Sequence, residues 1–248
     1  MHIITEGLFN LQFLSTFFSD FWLYALISAV AAYLLSSINT SIIVTRIVKH
    51  EDIRNLGSGN PGFTNVLRCV GKVPAAITFI GDFLKGVISL IIPFILTINV
   101  QHSDIDLYRG LMMYIAGLCV VFGHMFPVYY GFKGGKGVVA SASVMLLVDW
   151  RILVLELVIF AIMFALTKTI SKCSLVCAVF IPVLTVFLRI MDAAGVLSFI
   201  APTPNPSIAF ICCIGFITLI NAVAVIVKHK DNIKRILNGT EKKITDKK

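Results

Sequence analysis

Long apolar runs place the strongest constraint on what this chain can fold into. Residues 21–38, 87–100, 111–121 and 208–227 contain few or no charges, and a helix needs about 20 apolar residues to cross a bilayer core. Composition agrees, because 58% of the 248 residues are hydrophobic and 14% are charged, whereas soluble domains have about 45–50% and about 25%. The sequence therefore predicts an all-α, polytopic integral membrane protein.

The apolar stretches and the polar segments between them predict seven transmembrane helices in a single membrane-embedded domain, residues 1–248. The expected spans are 21–45, 74–99, 109–127, 137–149, 151–168, 173–190 and 207–227, followed by a tail of residues 228–248. The fourth and fifth spans are separated only by Asp149-Trp150-Arg151, so the boundary between them is the least defined.

The distribution of Lys and Arg predicts the orientation. Of the 21 Lys and Arg residues, all but Arg109, Arg151 and Arg189 fall on the face that includes the tail. Cytoplasmic loops carry an excess of these residues, so we expect the N-terminus outside and the tail in the cytoplasm. The net charge of +8 is attributed to this orientation, and no nucleic-acid partner is expected. The first 20 residues hold no Lys or Arg, so no cleavable signal is expected.

A first motif, residues 57–68, follows the first predicted span and is rich in turn-forming residues. It consists of Gly-Ser-Gly-Asn-Pro-Gly-Phe-Thr-Asn-Val-Leu-Arg. Glycines allow backbone N–H groups to approach an anion closely, and a guanidinium is a planar fork suited to phosphate. The candidate ligand-binding residues are Gly57, Ser58, Asn60, Thr64, Asn65 and Arg68.

A second motif, residues 123–137, joins the third and fourth predicted spans. It ends in Lys-Gly-Gly-Lys-Gly directly before a helix start, where backbone amides, the helix N-terminus and the lysine charges can all meet an anion. The spacing is not that of a Walker loop. The candidates are Lys133, Gly134, Gly135, Lys136 and Gly137. His124, near the start of the motif, is either a further ligand-binding residue or a structural histidine.

Two more polar clusters are predicted on the same face. Asp82 and Lys85 are three residues apart inside the second span, so they share a helix face. Ionisable residues in a span are costly and usually functional, although a purely structural clamp is the alternative. His229 and Asn232 share a face just past the last span, where a basic segment could instead be held by anionic lipid head groups. Glu241 could cap the tail helix or pair with a tail cation.

Taken together, the four clusters predict a site for one or two phosphorylated ligands at the inner membrane interface. The six cysteines fall mostly in apolar stretches and suggest neither a disulfide framework nor a zinc site. We therefore expect no metal.

At these residues the chain resembles the bacterial acyl-phosphate:glycerol-3-phosphate acyltransferases, the PlsY family. The segments Gly-Ser-Gly-Asn-Pro-Gly-x-Thr-Asn-x-x-Arg, Gly-His-x-Phe-Pro and Phe-Lys-Gly-Gly-Lys-Gly occur here in the family's order. The resemblance implies a seven-helix enzyme of the bacterial inner membrane. It would transfer a fatty acyl group from acyl phosphate to the sn-1 hydroxyl of glycerol 3-phosphate, giving lysophosphatidic acid and inorganic phosphate in phospholipid biosynthesis.

The resemblance also implies roles for particular residues. Ser58 and Arg68 match residues that hold glycerol 3-phosphate, together with a lysine that is either Lys133 or Lys136. His229 and Asn232 match a further pair at the same substrate, and the second-motif glycines match the acyl-phosphate binding loop. No cofactor and no obligate protein partner are expected besides the two substrates and membrane lipids.

The residues are consistent with chemistry that depends on positioning and charge stabilisation, because acyl phosphate is an activated mixed anhydride. The sequence has no His-x4-Asp and no Gly-x-Ser-x-Gly, so we expect no covalent acyl-enzyme and no strong protein base. His229 is interpreted as a substrate-binding residue, with general base as the alternative. The competing functions are a transporter for an anionic phosphorylated solute and a non-catalytic lipid-binding module.

Overall fold

The computed structural model describes residues 11–197, 200–202 and 206–243, and within these ranges the regular structure is helical. Residues 1–10 and the tail lysines Lys247 and Lys248 lie outside this part of the chain. The α-helices are α1 Leu11–Thr16, α2 Trp22–Ser36, α3 Thr40–Lys49, α4 Phe63–Cys69, α5 Lys72–Leu96, α6 Ile105–Met125, α7 Val138–Val148, α8 Trp150–Thr167, α9 Ile170–Ala193, α10 Ile208–Lys228 and α11 Lys230–Leu237.

Helices long and apolar enough to cross a membrane occupy six stretches of the described residues. These are Gln12–Lys49, Lys72–Leu96, Ile105–Tyr130, Trp150–Thr167, Ile170–Ala193 and Ile208–Lys228. They correspond to six of the seven predicted spans, and the all-α prediction is confirmed. The remaining predicted span, 137–149, is the shorter apolar helix α7 of 11 residues. At 1.5 Å per residue it rises roughly 16 Å, about half the thickness of a bilayer core.

The first predicted span, 21–45, has the wrong boundaries. The helix begins earlier, because α1 continues through a π-helical turn, Phe17–Phe21, into α2. It also ends earlier, at Ser36, since the side chain of Asn39 accepts a hydrogen bond from Ile42 N at 3.1 Å and starts α3. Asn is a strong N-cap residue, whereas the apolar residues that follow it made the hydropathy look continuous.

The core is built around α6, whose buried residues extend along most of its length. At one end the Phe21 ring stacks on Tyr108 with ring centroids 4.4 Å apart. At the other end Ser36 Oγ donates to Val120 O at 2.5 Å, and a β-carbon on Gly123 would lie 2.5 Å from Tyr33 O. This close approach fixes the end of α2 against the end of α6, from which the second motif departs.

Four buried charges hold the junction between α7 and α8 against α9. The guanidinium of Arg151 donates to both Asp149 and Asp192 at 2.7 Å, and Arg189 Nη1 lies 3.5 Å from Asp192 Oδ2. These side chains are at most 5% exposed. Burying an ion costs much free energy unless the ion is paired. Because each of these charges has a partner of opposite sign, the chain can turn at Asp149, between α7 and α8, although the junction is buried.

We predict that Asp192→Ala strongly destabilises the protein, because it leaves the buried Arg151 and Arg189 short of a partner. Unfolding of detergent-solubilised protein should show a loss of about 3–5 kcal/mol. The matched control is Asp106→Ala, which removes an exposed ion pair with Arg109. The side chain of Asp106 is 66% exposed, so this variant should lose about 1 kcal/mol of stability or less. Equal losses in the two variants would contradict the prediction.

Candidate functional site

The turn between α10 and α11 presents a buried histidine. His229 is 2% exposed, and its Nδ1 lies 2.8 Å from the Val225 carbonyl oxygen. A carbonyl oxygen only accepts hydrogen bonds, so Nδ1 carries the proton and Nε2 is left as an acceptor. Burial lowers the pKa of His229 to about 4. The imidazole is therefore neutral at pH 7.

Lys136 joins the second motif to this turn. Its ammonium contacts the side-chain oxygen of Asn232, which is itself 6% exposed. Burial lowers the pKa of Lys136 to about 8, and the neighbouring charges that act on it include Glu241 and Arg68. The lysine therefore stays largely protonated at pH 7, and the charge of Arg68 in the first motif acts on it.

Glu241 is the acceptor that holds this cluster together. Its Oε1 lies 2.6 Å from both Ser171 Oγ and Asn232 Nδ2, and its Oε2 lies 2.6 Å from Arg235 Nε. Burial opposes ionisation of Glu241, but the hydrogen bonds from these three donors lower its pKa overall. The pairing with a tail cation is confirmed. The link to Ser171 was missed, because that serine lies on α9 and no local pattern connects it to the tail.

The first motif is folded around Asn65. Its Oδ1 accepts from Ser58 N at 3.1 Å, while its Nδ2 donates to Leu56 O at 2.9 Å and Ile53 O at 3.3 Å. Gly57 has φ +56°, and a β-carbon there would lie 2.5 Å from Asn65 Oδ1. Gly57 and Asn65 thus shape the loop, and they leave Ser58 exposed at its tip.

The remaining first-motif candidates lie beside this tip. Asn60 N is 3.5 Å from Ser58 Oγ, Thr64 is half-buried in the first turn of α4, and Arg68 is half-buried one turn further along. The motif also lies against residues 133–137, since a β-carbon on Gly135 would lie 2.8 Å from Pro61 O.

The lysine–glycine loop, residues 133–137, is packed onto the end of α6. Gly134 N donates to Met125 O at 3.2 Å, and Gly135 N donates to His124 O at 3.1 Å. The prediction that these two amides face an anion is therefore wrong, because α6 carbonyls occupy them. A β-carbon on Gly134 would overlap His124 O, and Gly137 has φ +83°. The glycines are needed for close packing and for the turn into α7.

The two lysines of this loop face different surroundings. Lys133 lines an open cleft of about 520 Å³ that also contains Asp52 and Arg54. The guanidinium of Arg54 binds other groups of the protein in this cleft, since it donates to Asp52 at 2.8 Å and to Tyr130 O at 2.9 Å. The contact with Asn232 therefore identifies Lys136, rather than Lys133, as the lysine of the cluster.

Asp82, Lys85 and His124 form a buried group behind the lysine–glycine loop. Lys85 Nζ lies 2.9 Å from Asp82 Oδ1 and 3.1 Å from His124 Nδ1. The predicted Asp82–Lys85 pair is thus confirmed. All three side chains are at most 9% exposed, so they lie beneath the surface that carries Ser58.

Comparison with known proteins identifies relatives over most of the chain. Residues 26–239 match the model of a family described as glycerol-3-phosphate acyltransferase. A glycerol-3-phosphate acyltransferase of Clostridioides difficile strain 630 is 40% identical over 223 residues, covering 90% of this chain and 97% of the relative. One of Francisella tularensis subsp. holarctica is 36% identical over 218 residues, covering 88% and 92%.

Two solved structures have the same fold. Both are crystal structures of PlsY, an integral membrane glycerol 3-phosphate acyltransferase. The glycerol 3-phosphate form superimposes with a TM-score of 0.69 at 30% identity, covering 89% of this chain and 95% of the other. The lysophosphatidic acid form gives 0.65 at 29% identity, covering 88% and 94%. The resemblance deduced from the motifs is confirmed, as is the prediction of an integral membrane protein.

Proposed function

The chain belongs to the glycerol-3-phosphate acyltransferase family, and on that premise we propose that the cluster around Lys136 is where its substrate is acylated. The enzyme transfers a fatty acyl group from acyl phosphate to the sn-1 hydroxyl of glycerol 3-phosphate. The products are lysophosphatidic acid and inorganic phosphate, and the reaction serves phospholipid synthesis. The contact of Lys136 with Asn232 supports the assignment best, because it joins two motifs that are far apart in the chain.

The cluster has the charge that two phosphate-bearing reactants require. The positive charge of Arg68 contributes to the lowered pKa of Lys136. Together the two cations can neutralise the phosphate of glycerol 3-phosphate. Ser58 at the exposed tip of the first motif and Asn232 add neutral hydrogen-bonding groups. In a partly buried site such groups are worth more than in water.

The reaction needs little from a protein base. The hydroxyl oxygen attacks the acyl carbonyl carbon, the bond from that carbon to the phosphate oxygen breaks, and the departing phosphate can take up the hydroxyl proton. His229 is neutral at pH 7 and has Nε2 as an acceptor, so it can orient the hydroxyl. With its pKa lowered to about 4, it is a weak base at physiological pH.

We place the site at the cytoplasmic end of a seven-segment topology with the N-terminus outside. Helices α5 and α6 run antiparallel, because Arg109 Nε meets Thr97 Oγ1 at one end while Lys85 meets His124 at the other. The short α7 leads away from the lysine–glycine loop, and the chain turns back at Asp149. The end that holds the site also holds the basic tail, which the positive-inside rule assigns to the cytoplasm.

A transporter for a phosphorylated solute is the competing function. Transporters hold their substrates near the bilayer midplane, often in broken helices. Here the polar residues of the site lie at one end of the helices, around the ends of α6 and α10. This arrangement favours the transferase.

The proposed function predicts strict dependence on the acyl donor. Purified protein in proteoliposomes should release inorganic phosphate and form lysophosphatidic acid from acyl phosphate plus glycerol 3-phosphate, and should give neither product with acyl-CoA or acyl-carrier protein. The control is Arg68→Ala, which should lower turnover by about a hundredfold or more while the protein is still expressed. Solute flux without phosphate release would favour the transporter instead.

Lys136 should set the alkaline limit of activity. A lysine is charged below its pKa, so kcat/KM for glycerol 3-phosphate should fall above pH 8, by about tenfold per pH unit, because the free enzyme then loses the proton. The substrate phosphate titrates near pH 6 and does not contribute there. Lys136→Arg keeps its charge to above pH 12 and should remove the decline below pH 10. An unchanged decline in this variant would exclude Lys136 as its source.

His229→Gln separates substrate binding from base catalysis. The amide can still offer a hydrogen-bonding atom near the position of Nε2 but cannot accept a proton. We expect kcat to fall by less than about threefold and KM for glycerol 3-phosphate to rise by about tenfold. His50→Gln, at an exposed histidine, should change neither constant. A collapse of kcat at saturating substrate would identify His229 as the base.

A further inference from the structure

The buried ammonium of Lys85 is enclosed by three polar groups of the protein. An ammonium has three N–H donors. That of Lys85 donates to Ile38 O at 3.0 Å and to His124 Nδ1 at 3.1 Å, and it forms an ion pair with Asp82 Oδ1 at 2.9 Å. Because Lys85 is only 9% exposed, these groups leave little room for a substrate phosphate beside it. The expectation that Lys85 binds substrate therefore gives way to a role within the protein.

The hydrogen bond from Lys85 also determines the state of the histidine. Because an ammonium can only donate, His124 Nδ1 must accept, and the ring proton is on Nε2. The ring is 4% exposed, and its orientation is thus fixed from one side by Lys85.

The other side of the ring lies against the lysine–glycine loop. A β-carbon on Gly135 would overlap His124 Nε2 and would lie 2.8 Å from Pro61 O. Gly135 is therefore enclosed between the histidine ring and the first motif. A continuous series of contacts leads from Lys85 through His124 and Gly135 to Pro61, three residues from Ser58.

The helix that carries Lys85 is itself held close to its neighbours. A β-carbon on Gly81 would lie 2.6 Å from Thr40, and one on Gly86 would overlap Ser143 Oγ. These two glycines flank Asp82 and Lys85 in sequence and let α3 and α7 approach α5. The ion pair therefore lies in a packed junction rather than on a mobile surface.

We propose that Lys85 is a positioning residue which, through His124, sets the place of the lysine–glycine loop relative to the first motif. Asp82 supplies the charge that allows the ammonium to be buried there. In this way Lys136 and Ser58 are held at the separation that the reacting substrates require. This inference rests on the proposed function, because its consequence is measured as acyl transfer.

The first test compares stability with activity in three variants of the purified full-length protein. Asp82→Asn leaves the buried ammonium of Lys85 without its counter-ion, and Lys85→Met leaves the buried carboxylate of Asp82 without its own. Both variants should therefore have a lower melting temperature. The double variant removes both charges and should recover most of the stability. Its kcat/KM should nevertheless remain at least about tenfold below wild type, because a displacement of about 1 Å at a reacting group can cost a hundredfold.

His124→Asn isolates the second half of the series. Its side chain can still place an acceptor near Nδ1 for Lys85, so the melting temperature should change little. It lacks the ring edge that contacts Gly135, so kcat/KM should fall by about tenfold or more. Lys72→Met, at an exposed lysine on the same helix α5, should leave both quantities unchanged.

The outcomes distinguish this inference from its alternatives. If activity returned together with stability in the double variant, Lys85 would be a structural clamp and the proposal would be wrong. If His124→Asn were as active as wild type while Lys85→Met raised KM alone, Lys85 would bind substrate directly, which also overturns the proposal. A wild-type protein that released no phosphate from acyl phosphate would instead refute the proposed function.

Discussion

The ammonium of Lys85, buried among three acceptors, is the interaction on which the arrangement of the site depends. In a bilayer, water cannot satisfy a charge or a backbone carbonyl, so each must find its partner within the protein. Lys85 satisfies two such needs at once, since it neutralises Asp82 and binds the Ile38 carbonyl exposed where α2 ends. It also donates to His124 Nδ1 at 3.1 Å and so orients that ring. One cation therefore connects a helix break, a helix interior and the start of the second motif.

The charges of the proposed site are arranged differently from those within the helices. Arg151 is fully paired, since its guanidinium donates to Asp149 and Asp192 through all three nitrogens. Lys136 lies at the edge of the protein, and among the described residues the acceptor it contacts is Asn232. Its pKa, lowered to about 8 by burial, reflects a charge that is incompletely compensated. A phosphate group bound in the proposed site would compensate this charge.

Much of the fold could be predicted from the sequence, because it depends on local patterns. Apolar runs located the helices, and the spacing of Asp82 and Lys85 predicted their pairing. The break at residues 37–39 was missed, since Asn39 acts through one hydrogen bond that hydropathy does not reveal. The choice between Lys133 and Lys136 could not be made either, because it depends on Asn232, which is distant in sequence. The amides of Gly134 and Gly135 were predicted to bind a ligand, whereas in the structure they donate to carbonyl oxygens at the end of α6.

The glycine-rich motifs and the absence of a demanding base step in the proposed reaction have a common explanation. An activated acyl phosphate needs reactants held in register more than it needs chemical assistance. The loops that hold the reactants must therefore keep fixed positions. Backbone that packs directly on a helix end is held more closely than backbone attached through long side chains. Gly134 and Gly135 permit that packing, and the hydrogen bonds from their amides to α6 secure it. The same glycines that predict an anion-binding loop in the sequence are thus, in the fold, what packs the lysine–glycine loop against the end of α6.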